Sequence, residues 1–259
     1  MIKLVKHSRP EKLTDQEQKK LTDEFINSGF KKAVWSKTYI KEELLAESHS
    51  KCAYCETFIG KGEKEMHIDH FYPKSKYPDK VVEWDNLIPS CPHCNKEKSD
   101  LDPNSTPIIN PYNDNPHEYF YLYNCRLKPK HGENFSKAKN TIDCFGINDT
   151  KELVSCRFLC GDAIIQKIED LTDKISDYQN YTPNDIRHKK AIIRLCKNIL
   201  KLGVETSEYG ACMATIIHES DDYINAVKSM KSLELWNDEL EELHNKSKSI
   251  KFDIRDISE

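Results

Sequence analysis

Hydrophobic residues recur at helical spacing at both ends of the chain but not between them. Residues 14–26 carry this period after the cap candidates Thr14 and Asp15, and residues 37–50 carry it again. The period returns beyond about residue 136. There it predicts helices around residues 164–175, 186–200, 208–229 and 233–243. The two ends are therefore expected to be helical.

The middle of the chain has a different pattern. Residues 51–118 form short segments rich in Pro, Cys, His, Asn and Asp, with no long helical period. Residues 119–123 are aromatic enough for a β-strand, and residues 126–130 are its expected partner. We therefore predict an α+β chain: an N-terminal helical segment (1–50), a small module (51–118), and a strand pair followed by a mostly helical region (119–259).

Composition narrows the function classes. The chain has 259 residues, of which 32% are charged and 37% hydrophobic. No apolar run approaches the roughly 20 residues that span a bilayer, and the N-terminus has no signal-peptide core. We expect a soluble cytoplasmic protein without a membrane partner. Because the net charge is −4, any binding of nucleic acid has to depend on a local site.

Four of the ten cysteines form two Cys-x2-Cys pairs, Cys52 with Cys55 and Cys91 with Cys94. Each spacing lets two thiolates reach the same tetrahedral Zn²⁺, and four thiolates leave no open position. The pairs therefore predict a structural zinc site in a reducing compartment, not disulfides. The other cysteines are expected to be mostly small buried hydrophobic side chains: Cys125, Cys144, Cys156, Cys160, Cys196 and Cys212.

The segment between the cysteine pairs carries residues that a zinc ribbon does not need. The dipeptide Asp69-His70 and Asn86 lie between the pairs, and Asn95 directly follows the second. Carboxylate and amide oxygens suit a hard ion such as Mg²⁺. Taken alone, His70 would be interpreted as a structural histidine beside Asp69. The joint occurrence of the four residues favours catalysis.

These residues resemble the HNH (ββα-metal) nuclease family, whose members hydrolyse phosphodiester bonds of DNA or RNA. The resemblance implies that Asp69 and Asn95 bind a catalytic Mg²⁺ or Mn²⁺ and that His70 is the general base. It implies that Asn86 pins the loop that carries this base. Many members have His where this chain has Asn95, so the chain is a His-Asn-Asn variant, as in CRISPR RNA-guided nucleases. Losing an imidazole favours Mg²⁺ over softer ions.

Three further residues are candidates for binding the substrate phosphates: His67, Lys74 and Lys98. His67 could equally be a strand residue that packs. Lys98 could equally be a solvated lysine, and a loop lysine such as Lys74 is more often only solvated.

A narrower resemblance extends over roughly residues 1–160. The chain resembles the HNH subunit of Septu-type anti-phage systems, including retron-associated ones. The motifs that carry it are Asn110-Pro111-Tyr112, Asp114-x-Pro116, Thr141-Ile142, Ile147-Asn148, Leu153 and Arg157. It implies an SMC/ABC-like ATPase partner, for which the helical region offers a surface. Two alternatives stay open: a toxin-like effector that cleaves RNA such as tRNA with the same site, and a zinc-dependent nucleic-acid-binding module without catalysis.

Overall fold

A computed structural model of the chain describes residues 1–60, 65–181, 183 and 185–255. It divides into two compact units. Of the described residues, the first unit contains 1–120 and 127–149, and the second contains 121–126 and 150–255. The structure thus groups residues 127–149 with the first unit, although the sequence analysis placed them in the C-terminal region. The expected order of helices, a small sheet module and more helices is confirmed.

The first unit begins with the two predicted helices. Helix α1 spans Asp15–Asn27, and the Thr14 side chain caps it by accepting a hydrogen bond from a backbone N–H of its first turn. Helix α2 spans Thr38–Glu47. Helix α2 ends before residue 50, where the hydrophobic pattern predicted its end. The reason is that His49 and Ser50 adopt left-handed backbone angles, with φ of 55° and 57°.

A ββα arrangement follows. Strands β1 (His67–His70) and β2 (Leu87–Ser90) pair antiparallel, with His70 opposite Leu87. Helix α3 (Pro92–Lys98) begins directly after β2, with proline at its first position and the Cys91 sulfur accepting from a backbone N–H. The predicted ββα module is therefore confirmed.

The two strands expected after this module are also present. Strand β3 spans Phe120–Tyr123 and strand β4 spans Arg126–Pro129. Helix α4 (Phe135–Phe145) completes the first unit and contacts α3. The Phe145 ring stacks on the Tyr54 ring at a centroid distance of 3.8 Å, which explains why α4 belongs with the module.

The second unit is helical, as predicted. Its core is formed by apolar residues at helical spacing, such as Ile164, Ile168 and Leu171. Its α-helices are α5 (Ser155–Asn180), α6 (Ile186–Leu202), α7 (Gly210–His218), α8 (Asp221–Ser232) and α9 (Asp238–Ser249). Within the described residues, none of these helices combines the length and apolarity needed to cross a bilayer.

Two expected helix boundaries were wrong. The pattern over 208–229 predicted continuous helix, but Ser220 interrupts it by capping α8 through the Tyr223 N–H at 3.3 Å. The last helix begins at Asp238 and not near residue 233, because the Asn237 side chain caps it through the Leu240 N–H at 3.0 Å.

Candidate active site

The four paired cysteines lie together in the first unit. The sulfur atoms of Cys52, Cys55, Cys91 and Cys94 are within 4.8 Å of one another, and all four residues are buried. The Cys55 and Cys91 sulfurs are 3.7 Å apart. A tetrahedral zinc with bonds of about 2.3 Å has sulfur-sulfur edges of about 3.8 Å. The cluster therefore fits one zinc ion and links the start of the module to α3.

His70 lies at the end of β1 and is only 4% exposed. Its Nε2 lies 2.9 Å from the carbonyl oxygen of Val81. Because a carbonyl only accepts, Nε2 carries the hydrogen and Nδ1 keeps its lone pair in the neutral ring. The Trp35 ring stands perpendicular to the imidazole at 4.9 Å. Burial, assisted by the nearby charge of Lys74, lowers the pKa of His70 to about 3. The ring is therefore neutral near pH 7.

Asp69 is held by two buried donors. The Tyr54 hydroxyl donates to Oδ2 at 2.6 Å, and the Lys98 ammonium donates to Oδ1 at 3.0 Å. Burial raises the pKa of Tyr54 well above its usual value, which keeps this hydroxyl protonated as a donor. The same ammonium also donates to the His70 carbonyl oxygen at 2.6 Å. The sequence analysis expected Lys98 to bind a substrate phosphate. However, Lys98 is 1% exposed, and the structure places it behind Asp69 and away from solvent.

Asn86 lies immediately before β2 and bonds to both ends of the loop that follows His70. Its Oδ1 accepts from the Tyr72 N–H at 2.7 Å. Its Nδ2 donates to the Tyr72 carbonyl at 3.1 Å and to the Lys80 carbonyl at 2.9 Å. Lys80 immediately precedes Val81, whose carbonyl holds the His70 ring. Asn86 thus fixes the segment that sets the orientation of His70.

Asn95 projects from α3 toward β1. Its Nδ2 lies 3.2 Å from Nδ1 of His67, so the ring nitrogen accepts from the amide and the amide oxygen is left for another partner. His67 is half-buried and also lies 3.5 Å from a Glu65 oxygen through Nε2. We interpret His67 as the residue that sets the orientation of the Asn95 amide.

A polar cavity of about 300 Å³ brings the central residues together. Its lining consists of Asp69, His70, Pro73, Lys74, Asn95, Lys96, Ser99 and Asp100. A second cavity of about 270 Å³ includes His67, Lys74, Asn95 and Trp35. Asn86 and Lys98 line neither of these cavities. A carboxylate and an amide oxygen beside a polar space are the donors that Mg²⁺ prefers, so Asp69 and Asn95 fit such an ion.

Sequence reasoning did not identify three groups at this site: the Tyr54 hydroxyl, the Trp35 ring and the Val81 carbonyl. Tyr54 lies between Cys52 and Cys55, whose spacing indicates zinc binding but gives no information about the residues between them. A fully buried tyrosine hydroxyl needs a partner, but nothing in the sequence indicates that this partner is Asp69.

Comparison with known proteins agrees with this geometry. The family model described as HNH endonuclease matches residues 52–101, which include both cysteine pairs and the residues around the cavity. The Septu protein PtuB of Bacillus thuringiensis is 36% identical over 243 residues, which is 94% of this chain and 92% of that protein. The similarity therefore extends over both units and not only over the ββα module.

Proposed function

Because the chain belongs to the family of the Septu protein PtuB and carries an HNH endonuclease domain, we propose that it is the nuclease of an anti-phage defence complex and uses His70 as general base. One observation supports this most strongly. A buried neutral imidazole, whose protonated nitrogen is fixed by the Val81 carbonyl, lies beside a carboxylate and an amide at one polar cavity. Such a group can remove a proton from water.

The proton moves to Nδ1 of His70, because Nε2 already carries a hydrogen bonded to Val81. The resulting imidazolium keeps this bond, and the carbonyl dipole stabilises the new charge. A phosphate anion in the cavity offsets the effects of burial and of Lys74, and so raises the pKa of His70 toward the range useful for a base. Substrate binding therefore prepares the histidine for its role.

Asp69 and Asn95 would hold a divalent ion, Mg²⁺ or Mn²⁺, which supplies charge neutralisation at the phosphate and stabilisation of the departing oxygen. Tyr54 and Lys98 fix the position of the Asp69 carboxylate, although its remaining lone pairs can still bind a cation. Lys74 stands over the Trp35 ring with its ammonium 5.1 Å from the ring centre. From there it can approach a substrate phosphate at the rim of the cavity.

The substrate class is tested by incubating the purified chain with plasmid DNA and with tRNA, in Mg²⁺, Mn²⁺ or EDTA. We expect cleavage that requires the divalent ion. Cleavage of tRNA alone would support the toxin-like ribonuclease. Binding without cleavage in either metal, both with and without the ATPase partner proposed below, would identify a zinc-dependent binding module and overturn the nuclease proposal.

We further propose that the chain acts in the cytoplasm with an SMC/ABC-like ATPase that regulates it. Its similarity to a Septu protein supports the partner, and four cysteines arranged to bind a metal ion support a reducing compartment. We expect the full chain and its His70→Ala variant to co-purify equally with the ATPase, while only the parent complex cleaves nucleic acid. Failure of both chains to co-purify would contradict the partnership.

A further inference from the structure

The second unit contains a pair of thiols outside the zinc cluster. Cys125 lies in the turn between β3 and β4 and is half-buried, whereas Cys212 lies on α7 and is buried. On α7, Cys212 lies one helical turn before Thr215 and Ile216, which line the same groove as Cys125. Its thiol lowers the pKa of Cys125 through a side-chain hydrogen bond. The expectation that the cysteines outside the zinc pairs are mostly buried fillers is confirmed for Cys196 and Cys212. It is wrong for Cys156, which is exposed, whereas Cys125, Cys144 and Cys160 are only half-buried.

The backbone at Cys125 is unusual for a cysteine. The turn consists of Asn124 and Cys125, with φ of 48° and 58°. A two-residue turn with both residues left-handed favours Asn followed by Gly, because a Cβ is unfavourable in this region. Such a conformation persists where the surroundings impose it, and it is often found at functional sites. Here the turn places the Cys125 side chain at a groove, whereas a glycine in this position would have no side chain there.

The groove is open and mostly apolar. It has a volume of about 810 Å³, and its lining includes Cys125, Leu122, Phe158, Leu159 and Ile216. Phe158 and Leu159 are more than half exposed. A small oxidant can therefore reach the Cys125 thiol from this side.

Two positively charged side chains, Arg157 and Arg126, lie near the thiol. The Arg157 side chain is buried, and its Nη1 donates to the Cys125 carbonyl oxygen at 3.4 Å. The hydrogen bond from Cys212, and then the charges of Arg157 and Arg126, lower the pKa of Cys125 to about 7 against the opposing effect of burial. About half of this thiol is therefore thiolate at neutral pH, compared with about 3% of a thiol with an ordinary pKa of about 8.5.

We propose that Cys125 and Cys212 form a dithiol site that a hydroperoxide oxidises to a disulfide. The Cys125 thiolate attacks one oxygen of hydrogen peroxide, the O–O bond breaks, and the leaving hydroxide takes a proton to become water. The resulting sulfenic acid is attacked by the Cys212 sulfur, which loses its proton, and a second water leaves. The two thiols supply the two electrons that reduce the peroxide.

Cys156 provides a comparison, because it is more exposed than Cys125. If exposure controlled reactivity, Cys156 would react first. If the thiolate fraction controls it, Cys125 reacts first. A lower pKa also makes a thiolate less nucleophilic, so the expected net advantage of Cys125 at pH 7 is about threefold.

The test uses the full, zinc-loaded, reduced chain. Limiting iodoacetamide is applied between pH 5.5 and 9, and labelled peptides are quantified by mass spectrometry. We expect Cys125 to be labelled about three times faster than Cys156 at pH 7, with a midpoint near pH 7. Hydrogen peroxide followed by non-reducing peptide mapping should yield a Cys125–Cys212 linked peptide with unchanged zinc content.

Variants complete the test. In Cys212→Ala the linked peptide is lost and the midpoint for Cys125 moves upward, because alanine has no hydrogen-bond donor. Cys156→Ala changes neither result. Labelling of the parent chain tests the proposal even if Cys212→Ala does not fold. A Cys125 midpoint near 8.5 with a rate below that of Cys156, or peroxide treatment that links other cysteines instead, would overturn the proposal.

Discussion

Replacing Asn86 with alanine tests how the orientation of His70 is maintained. Asn86 is 2% exposed and makes three side-chain hydrogen bonds to the backbone of Tyr72 and Lys80. At about 1 kcal/mol of net stabilisation per bond, Asn86→Ala should lower the free energy of unfolding by about 3 kcal/mol. The released segment includes the approach to Val81, so the His70 ring loses its fixed position. A displacement of about 1 Å at a catalytic group costs about 100-fold in rate.

Asn148 offers a matched control in the same unit. Its side chain makes the same kind of bridge, accepting from the Leu127 N–H at 3.0 Å and donating to the Leu127 carbonyl at 2.7 Å. Asn148→Ala should therefore cost about 2 kcal/mol of stability. It should leave the cleavage rate of the folded protein nearly unchanged, because neither Asn148 nor Leu127 lines the cavity that contains His70.

Both variants are measured by urea denaturation and by single-turnover cleavage under conditions where the protein is folded. We expect similar losses of stability but a large loss of rate only in Asn86→Ala. Equal cleavage rates in the two variants would refute the reasoning, because the rate would then not depend on the loop that Asn86 anchors.

Three further outcomes follow from the structure. Lys98→Met leaves the Asp69 carboxylate buried without its cation and should destabilise the protein by about 3 to 5 kcal/mol in urea denaturation, while adding Asp69→Asn to it should restore part of this loss. Metal analysis should find about one zinc per chain in the parent and in Cys196→Ser, but none in Cys94→Ser; equal zinc in all three would contradict the cluster. Burial lowers the pKa of His218 to about 3, so the unfolded chain binds the extra proton below pH 6.5, and stability should fall by about 2 kcal/mol between pH 6.5 and pH 5 through this residue. His218→Gln should reduce that fall, and an unchanged pH dependence would show that another group is responsible.

The parts of the site that could be predicted are those whose chemistry depends on short spacing. Two Cys-x2-Cys pairs predict a tetrahedral metal site wherever they meet, and the structure brings Cys52 and Cys91 into one cluster. Asp69 and His70 are adjacent in sequence and lie at one cavity. The helical spacing of apolar residues also predicted a buried helix face correctly, since Ile164 and Ile168 are buried on one face of α5.

Contacts between distant segments could not be predicted. The bond from Tyr54 to Asp69 depends on how the first cysteine pair packs against β1, and no local pattern encodes this packing. Lys98 follows Asn95 by one helical turn, and the sequence therefore made it a candidate for binding a substrate phosphate. However, the buried Asp69 carboxylate attracts the ammonium inward. The interruption at Ser220 did have a local signal, a serine before two aspartates, but the continuing apolar period concealed it.

The most direct test of the central proposal compares the parent chain with His70→Ala in the cleavage of a defined nucleic acid in Mg²⁺, with zinc content and co-purification with the ATPase measured on the same preparations. We predict that His70→Ala retains its zinc and its partner but loses about 100-fold or more of the cleavage rate. A His70→Ala variant that folds, keeps its zinc and cleaves at the parental rate would contradict the assignment of His70 as the general base.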